Sequence, residues 1–298
     1  MIPLVEKRNY FLGFSAVLVL ASVVAVALFG LRQGIDLRGG TQWSVVMTDT
    51  SVTEEAVRAA LKGAIPGHEV QVKRAGDGGM LIRLPSITPD EHDRYGDALQ
   101  DLGEYEEKSF SSIGPTIGAE LRNKAFWAIG LVLLGISLYV AWAFRKVSEP
   151  VRSWKYGVAT LISLFHDVII PTGMLAVLGA WRGVEIDTNF IVALLVVMGF
   201  SVHDTIVVFD RIREHLLKSR GKKYSLAEVI NQSVTETFAR SVNTSLTLIL
   251  VLVALLVIGP PSLFYFVLTI LVGTVIGTYS SIFVASPLLY LWAGKTKN

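Results

Sequence analysis

Residues 199–214 read GFSVHDTIVVFDRIRE and place charged side chains at the end of a long apolar run. The run begins at Phe190 and continues to Phe209, so it holds 20 residues, which is the length that a helix needs to cross a bilayer. An ionised carboxylate within hydrocarbon costs about 2.5–3.5 kcal/mol on insertion scales. Asp204 therefore needs a partner, contact with water or a bound proton, and it is a candidate functional residue.

The composition is that of a polytopic membrane protein. Hydrophobic residues make up 52% of the 298 residues and charged residues 17%, whereas a soluble domain carries about 25% charged residues. The chain contains no cysteine, which excludes disulfides and thiol chemistry. Six apolar runs predict membrane-spanning helices, at residues 11–30, 124–144, 156–179, 189–210, 240–259 and 263–292.

The first run resembles a signal peptide because Lys7 and Arg8 precede it. It is too long for the apolar part of such a peptide, and no cleavage site of small residues precedes Arg32. We therefore expect a retained span. The predicted organisation is a first span within residues 1–31, a polar domain over 32–122 and a five-helix membrane domain over 123–298.

Basic residues in the short loops predict the orientation, because positively charged loops stay in the cytoplasm. They precede the first run, follow the sixth, and fill the connections after the second and fourth: Lys7, Arg8, Arg145, Lys146, Arg152, Lys155, Arg211, Arg213, Lys218, Arg220, Lys222, Lys223, Lys295 and Lys297. Both termini are thus expected in the cytoplasm and the polar domain outside it.

The polar segment 32–122 predicts a small α+β domain. Thr53 and Thr88 are expected to cap two helices, with Pro89 at the first position of the second. The order βαββαβ is that of the ferredoxin-like split unit, a fold that does not specify a function. Alternation and turn residues predict the strands and the turn that joins the second to the third, at 42–47, 69–73, 80–84 and 105–111, with the turn at 76–79.

Three predicted spans carry polar side chains that lipid would reject. The third span has Ser163, His166 and Asp167, the fourth has Ser201, His203, Asp204 and Thr205, and the fifth has Arg240, Asn243, Thr244 and Thr247. The last four recur at helical spacing and form one polar stripe, so Arg240 is the expected partner of Asp204. A carboxylate that alternates between an arginine and a proton can carry protons.

Pro171 adds a feature to the third span, because proline lacks an N–H and frees the carbonyl four residues earlier, that of Asp167. Irregular backbone at this depth is tolerated inside protein or along a wet cavity. We therefore expect His166 and Asp167 to border the same aqueous path as Asp204.

Simpler interpretations compete with these. Intramembrane polar groups hold helices together at about 0.6 kcal/mol per pair, which suffices for the serines and threonines, and Arg240 is also placed to snorkel to the interface. Asp210, Arg211 and Arg213 are expected to be anchors at the water boundary. A GxxxG pair, Gly273 and Gly277, favours helix packing.

Other classes of site have weaker support. The two His-Asp pairs lack the ligand spacing of a metal centre. The Gly-x-Gly-Asp surroundings of an intramembrane aspartyl protease are absent. We therefore expect no metal, no catalytic residue and no cofactor. Residues 225–228 match a capping box and predict a helix that lies along the membrane surface before the fifth span.

Several stretches together resemble the SecF members of the bacterial SecD/SecF family, within the resistance-nodulation-division superfamily. They are GIDLRGGT at 34–41, SIGPTIGAEL at 112–121, FHDV at 165–168, the opening motif at 199–214, and ETFARSVNTS at 236–245. The matches follow the same order over essentially the whole chain and are specific as a set. One position departs, because the family has Asn where this chain has His203, a residue that can titrate near neutral pH.

The resemblance implies an accessory subunit of the Sec export machinery in the bacterial cytoplasmic (inner) membrane. Family members pair with SecD, work with the SecYEG channel and the SecA motor, and use the proton-motive force to promote preprotein translocation. Lipids and the translocating preprotein are further partners, nucleic acid is not, and protons are the coupling ion. A proton-driven exporter of small molecules or lipids and a scaffold without a proton role are the alternatives.

The resemblance also implies roles for single residues. Asp204 and Arg240 match the family's proton-relay pair. The candidates for the relay or its aqueous path are His166, Asp167, His203, Thr205 and Thr244. When protonation of Asp204 loosens its pairing with Arg240, the expected joints that pass the motion outward are Gly34, Asp36, Gly39, Gly40, Gly114 and Pro115.

Overall fold

The structure of the protein, a computed structural model, describes residues 2–74, 79–145, 151–219 and 224–293. The predicted turn at 76–79 lies outside these ranges except for Gly79. Six of the basic residues used for the orientation also lie outside them: Lys146, Arg220, Lys222, Lys223, Lys295 and Lys297. The chain divides into two compact units. The α+β unit comprises Gln33–Phe126 and Ile186–Thr188, and the membrane unit comprises Met1–Arg32, Trp127–Glu185 and Asn189–Asn298.

The α+β unit contains a four-stranded antiparallel sheet in the order β2-β3-β1-β4. Two helices, α3 and α4, follow β1 and β3, which confirms the predicted ferredoxin-like order. The elements are α2 (Ile35–Arg38), β1 (Gly40–Met47), α3 (Glu54–Ala64), β2 (Gln71–Arg74), β3 (Gly79–Leu84), α4 (Pro89–Gln100) and β4 (Tyr105–Ile113).

The two predicted helix caps are present. The Thr53 side chain accepts a hydrogen bond from the amide of Ala56 at 3.2 Å. At α4, Thr88 and Glu91 form a reciprocal capping box, and the Thr88 amide donates to the Glu91 carboxylate at 2.8 Å. That backbone hydrogen bond lowers the pKa of Glu91. These caps satisfy amides that the first helical turn leaves unpaired.

The strand bounds differ slightly from the predicted ones. β1 begins two residues earlier than predicted, at Gly40, which has a φ of 131° and pairs with Ile113 at the end of β4. The alternating residues Trp43, Val45 and Met47 of β1 are buried in the core of this unit. The sheet therefore buries one face, as the alternation predicted.

Six helical segments among the described residues are long and apolar enough to cross a membrane. This confirms the predicted polytopic class. They are α1 (Arg8–Phe29), α5 (Pro115–Ala143), α6 (Ser153–Arg182), α7 (Thr188–Lys218), α8 (Leu226–Ile258) and a composite segment over Pro261–Ala293. The composite segment consists of a short 3₁₀ turn (Pro261–Leu263), α9 (Phe264–Ser280), a π-helix (Ser281–Ala285) and α10 (Ser286–Ala293).

Several helices extend well beyond the apolar runs that predicted them. α8 is one continuous helix from Leu226, so the predicted surface helix is its first half. The first turns of α8 bury Val229, Ile230 and Val234. Because these residues pack inside the protein, the helix continues without a break between the predicted surface helix and the span. Ser225 occupies the N-cap position, but its side chain makes no capping hydrogen bond, and the predicted capping box is wrong.

Small residues allow the membrane helices to approach closely. A Cβ atom at Gly173 of α6 would lie 2.5 Å from the Cβ atom of Ser22 on α1. A Cβ atom at Gly277 of α9 would lie 2.9 Å from the Cβ atom of Ser201 on α7. The GxxxG face of α9 therefore packs directly on α7, as predicted.

Candidate functional site

Asp167 lies on α6 and is fully buried, with 0% of its surface exposed. His166 Nδ1 is 2.8 Å from Oδ1, and Ser280 Oγ of α9 donates to Oδ2 at 2.7 Å. Ser201 Oγ of α7 also donates to Oδ2. A carboxylate accepts hydrogen bonds only, so Nδ1 is the protonated nitrogen of His166. The charge of Asp167 is thus held by donors from three helices.

Two further contacts support this cluster. Ser163 Oγ donates to Ser280 Oγ at 3.0 Å, which leaves the Ser280 proton for Asp167. The His166 ring stacks on the ring of Tyr279 with centroids 6.3 Å apart. Its Nε2 atom is buried and has no hydrogen-bond partner within the described part of the chain.

Asp204 lies on α7 and is 2% exposed. Its hydrogen-bond partner is Ser245 of α8, whose Oγ is 3.4 Å from Oδ2, beyond the usual range for an O–H donor. The Ser245 hydroxyl has one proton and two nearer partners: the Ser241 carbonyl, which accepts at 2.9 Å, and Thr278 Oγ1 at 2.5 Å, where either oxygen can be the donor. Asp204 is therefore buried with very little hydrogen bonding.

Arg240 does not pair with Asp204. Its side chain is exposed, and no ion pair joins the two residues in the ranges that the structure describes. The predicted stripe exists, but it faces outward: Asn243 and Thr247 are exposed like Arg240. The expected resting ion pair is therefore absent among the described residues.

The buried polar face of α8 consists of residues that the sequence reasoning passed over. Ser233, Thr237, Ser241 and Ser245 recur every four residues and are all buried. Ser245 provides the hydroxyl that contacts Asp204, and the Ser241 hydroxyl, one turn earlier, is buried without a hydrogen-bond partner in the described part of the chain. This four-residue spacing is visible in the sequence and indicates one face of a helix. The stripe that contains Arg240 is more polar and was therefore chosen instead.

The other predicted path residues occupy different environments. Thr205 is buried and donates to the Ser201 carbonyl at 3.1 Å. Thr244 is partly buried and donates to the Arg240 carbonyl at 2.9 Å. His203 is exposed although its neighbour Asp204 is buried. Only Thr205 thus shares the buried face of α7 with Asp204.

The motif residues proposed as joints lie together in the α+β unit. Asp36 Oδ2 accepts hydrogen bonds from the Thr188 hydroxyl at 2.7 Å and the Thr188 amide at 3.2 Å. The Gly34 amide donates to the Ile186 carbonyl at 2.8 Å. Gly39 has a φ of 82°, and a Cβ atom there would lie 2.7 Å from the Cα atom of Pro115, so only glycine fits.

The charged end of the opening motif forms a polar network. Arg211 pairs with Glu214 and with Glu236 of α8. Arg213 Nη1 lies 3.3 Å from the Asp210 carboxylate. Their place at the water boundary stays a prediction.

Comparisons with known proteins match this architecture. The family model described as "Protein export membrane protein SecD/SecF, C-terminal" matches residues 94–295. The protein translocase subunit SecF of Thermobaculum terrenum is 44% identical, and the match covers 99% of this chain and 95% of that protein. The protein translocase subunit SecF of Anaerolinea thermophila is 34% identical over 100% of this chain and 96% of that protein.

A solved structure shares the fold. The crystal structure of SecDF from Thermus thermophilus, a translocon-associated membrane protein, is 33% identical with a TM-score of 0.78, and the match covers 97% of this chain. This chain spans only 38% of that one, because SecDF is the longer protein. From the family model, the relatives and the shared fold together, the chain belongs to the SecD/SecF family of protein-export membrane proteins.

Proposed function

We propose that the protein is an accessory subunit of the Sec machinery that, with SecD, uses the proton-motive force to promote preprotein translocation. One observation carries the proposal. Asp204 is a buried carboxylate on a membrane helix, and the hydrogen bond that it accepts from Ser245 within the described residues is long and comes from a shared hydroxyl. Protonation of such a group breaks few hydrogen bonds, so the residue is suited to binding and releasing protons.

The exposed polar residues of the membrane helices support SecD as the partner. His203 of α7 and Arg240, Asn243 and Thr247 of α8 form a set that we name the outward polar face. Charged side chains within a membrane face protein or water rather than lipid. Two relatives are named SecDF. The match to this chain covers only 40% of the one from Thermus thermophilus and 38% of the one from Bacillus subtilis.

The remaining part of SecDF corresponds by name to SecD. We propose that SecD covers the outward polar face and supplies a carboxylate opposite Arg240. A partner carboxylate would compensate the charge of an arginine that this chain leaves unpaired in its described ranges.

The proposed cycle begins with an ionised Asp204 that attracts Arg240 and His203 electrostatically. Uptake of a proton removes this attraction and lets α7 and α8 shift against SecD. Release of the proton on the other side restores it. In this arrangement both termini are cytoplasmic, the α+β unit is extracytoplasmic, and the unit acts with SecYEG and SecA on the emerging preprotein.

The test uses the chain with SecD and the channel in proteoliposomes under an imposed proton gradient. We expect Asp204→Asn to remove gradient-dependent proton uptake and gradient-dependent export together. Asp210→Asn is the matched control, because Asp210 lies on the same helix but is exposed and pairs with Arg213. Normal uptake and export in Asp204→Asn would instead favour the scaffold alternative.

A further inference from the structure

We infer that Asp36 is a positioning residue that anchors the first turn of α7 and thereby couples movement of the helix carrying Asp204 to the α+β unit. The inference rests on the proposed function, since it concerns how proton binding is passed on. It specifies how the Gly34–Gly40 motif, which is expected to be a joint that passes the motion outward, connects to α7.

Asp36 acts as an N-terminal cap for a helix that is distant in sequence. Thr188 is the first residue of α7, and both its amide and its hydroxyl donate to Asp36 Oδ2, at 3.2 Å and 2.7 Å. Side chains that cap a helix usually come from the residue just before it. A carboxylate at this position also complements the positive end of the helix dipole.

The backbone makes the same connection independently. The Gly34 amide donates to the Ile186 carbonyl at 2.8 Å, and Gln33 and Ile186 form a parallel β-bridge. Arg122 of α5 adds a hydrogen bond to the Gln33 side chain at 3.3 Å. The segment 186–188 before α7 is therefore attached to residues 33–36 at two positions, Ile186 and Thr188.

The anchoring segment itself has little freedom to bend. A Cβ atom at Gly118 of α5 would lie 2.5 Å from the Gly39 amide nitrogen. A Cβ atom at Gly39 would lie 2.7 Å from the Cα atom of Pro115. Strand β1 begins at the very next residue, Gly40. Close packing of this kind transmits displacement, whereas a flexible joint would absorb it.

On the other side, α7 runs without interruption from Thr188 to Lys218 and contains no proline. Asp204 lies 16 residues beyond Thr188, or about 24 Å along the helix at about 1.5 Å per residue. The residue that Asp36 caps and the residue proposed to bind protons therefore belong to one continuous helix.

The experiment measures proton uptake and export separately in the reconstituted complex with SecD and the channel. In Asp36→Ala we expect proton uptake to stay at the wild-type level while gradient-dependent export falls at least about fivefold, since hydrogen bonds to a charged group are lost. Asp36→Asn should retain most export, because its amide oxygen still accepts from Thr188.

Asp49→Ala is the matched control within the same unit. Asp49 is exposed and accepts a local hydrogen bond from the Ser51 amide at 2.8 Å, so we expect both readouts to be unchanged. If Asp36→Ala lowers uptake and export in parallel, or lowers neither, the coupling role is overturned. Failure of the proposed function gives a different result, namely normal proton uptake in Asp204→Asn, so the two failures can be told apart.

A crosslink guards against simple misfolding of the alanine variant. The chain has no cysteine, so the pair Asp36→Cys and Thr188→Cys introduces the only thiols. We expect oxidation to restore export to this double variant and reduction to remove it again, with uptake constant throughout. Equal export in both redox states would overturn the inference.

Discussion

Asp167 and Asp204 lie on consecutive membrane helices and are almost equally buried, at 0% and 2% exposure, yet their surroundings differ. Asp167 receives hydrogen bonds from His166, Ser201 and Ser280. Asp204 lies 3.4 Å from one hydroxyl, that of Ser245, which has two nearer hydrogen-bond partners. Burial alone therefore does not distinguish the two residues.

The difference in donors separates a structural charge from a proton-binding one. A carboxylate that is fully hydrogen-bonded loses several contacts when it is protonated, whereas a poorly bonded one loses almost none. On this basis we propose that Asp167 stabilises the bundle and that Asp204 binds and releases protons. The sequence predicted that Asp167 and Asp204 border the same aqueous path, whereas this proposal gives the two residues different roles.

The largest expected effect on stability is at Asp167. Asp167→Ala leaves His166, Ser201 and Ser280 without their acceptor, and removing one partner of a buried charged network costs about 3–5 kcal/mol. Denaturant unfolding of the detergent-solubilised chain measures this loss. Asp167→Asn keeps one acceptor oxygen and should cost clearly less; equal losses in the two variants would contradict the role of the hydrogen bonds.

A smaller loss is expected from crowding the Asp167 cluster through α9. Gly277→Val would displace Ser201, whose Cβ atom lies 2.9 Å from a Cβ atom at that position, and overpacking costs about 1–3 kcal/mol. Gly130→Val on α5 is the control, because nothing lies within 4 Å of a Cβ atom there. The same unfolding assay compares the two, and similar losses would show that helix propensity rather than packing is responsible.

Loss of a serine hydroxyl near Asp204 should lower the free energy of unfolding by less than the Gly277 substitution does. Ser245→Ala removes the hydroxyl that contacts the Ser241 carbonyl, Thr278 Oγ1 and Asp204, so we expect a loss of about 1 kcal/mol. Ser241 is equally buried but its hydroxyl has no partner within the described residues, so Ser241→Ala should be neutral or slightly stabilising. A larger loss at Ser241 than at Ser245 would reverse this assignment of donors.

The smallest effect on stability is expected at Asp204 itself. Asp204→Asn removes a buried charge that is poorly compensated, so the midpoint of thermal unfolding should stay unchanged or rise. Intrinsic tryptophan fluorescence follows the transition. Together with lost export this would mark Asp204 as a functional residue, and strong destabilisation would instead place it beside Asp167 as a structural one.

The α+β unit shows which features could be predicted locally. Thr53, Thr88 and Pro89 marked the helix starts correctly, because a cap acts on amides two or three residues away.

The first half of α8 was misjudged as a separate surface helix, since its buried residues Val229, Ile230 and Val234 form a stripe that is too short to read as a span. Only packing against the rest of the membrane unit explains why it continues.

The sequence by itself determined the six spans, the βαββαβ order and the identity of Asp204 as an unusual charge, because the length and period of apolar runs are properties of neighbouring residues. Tertiary structure decided which polar stripe of α8 faces Asp204. Arg240 and Ser245 differ by five residues, which is about 140° around a helix of 3.6 residues per turn. Both stripes are polar, so composition alone does not fix the rotation of the helix, and the contacts with α7 and α9 do.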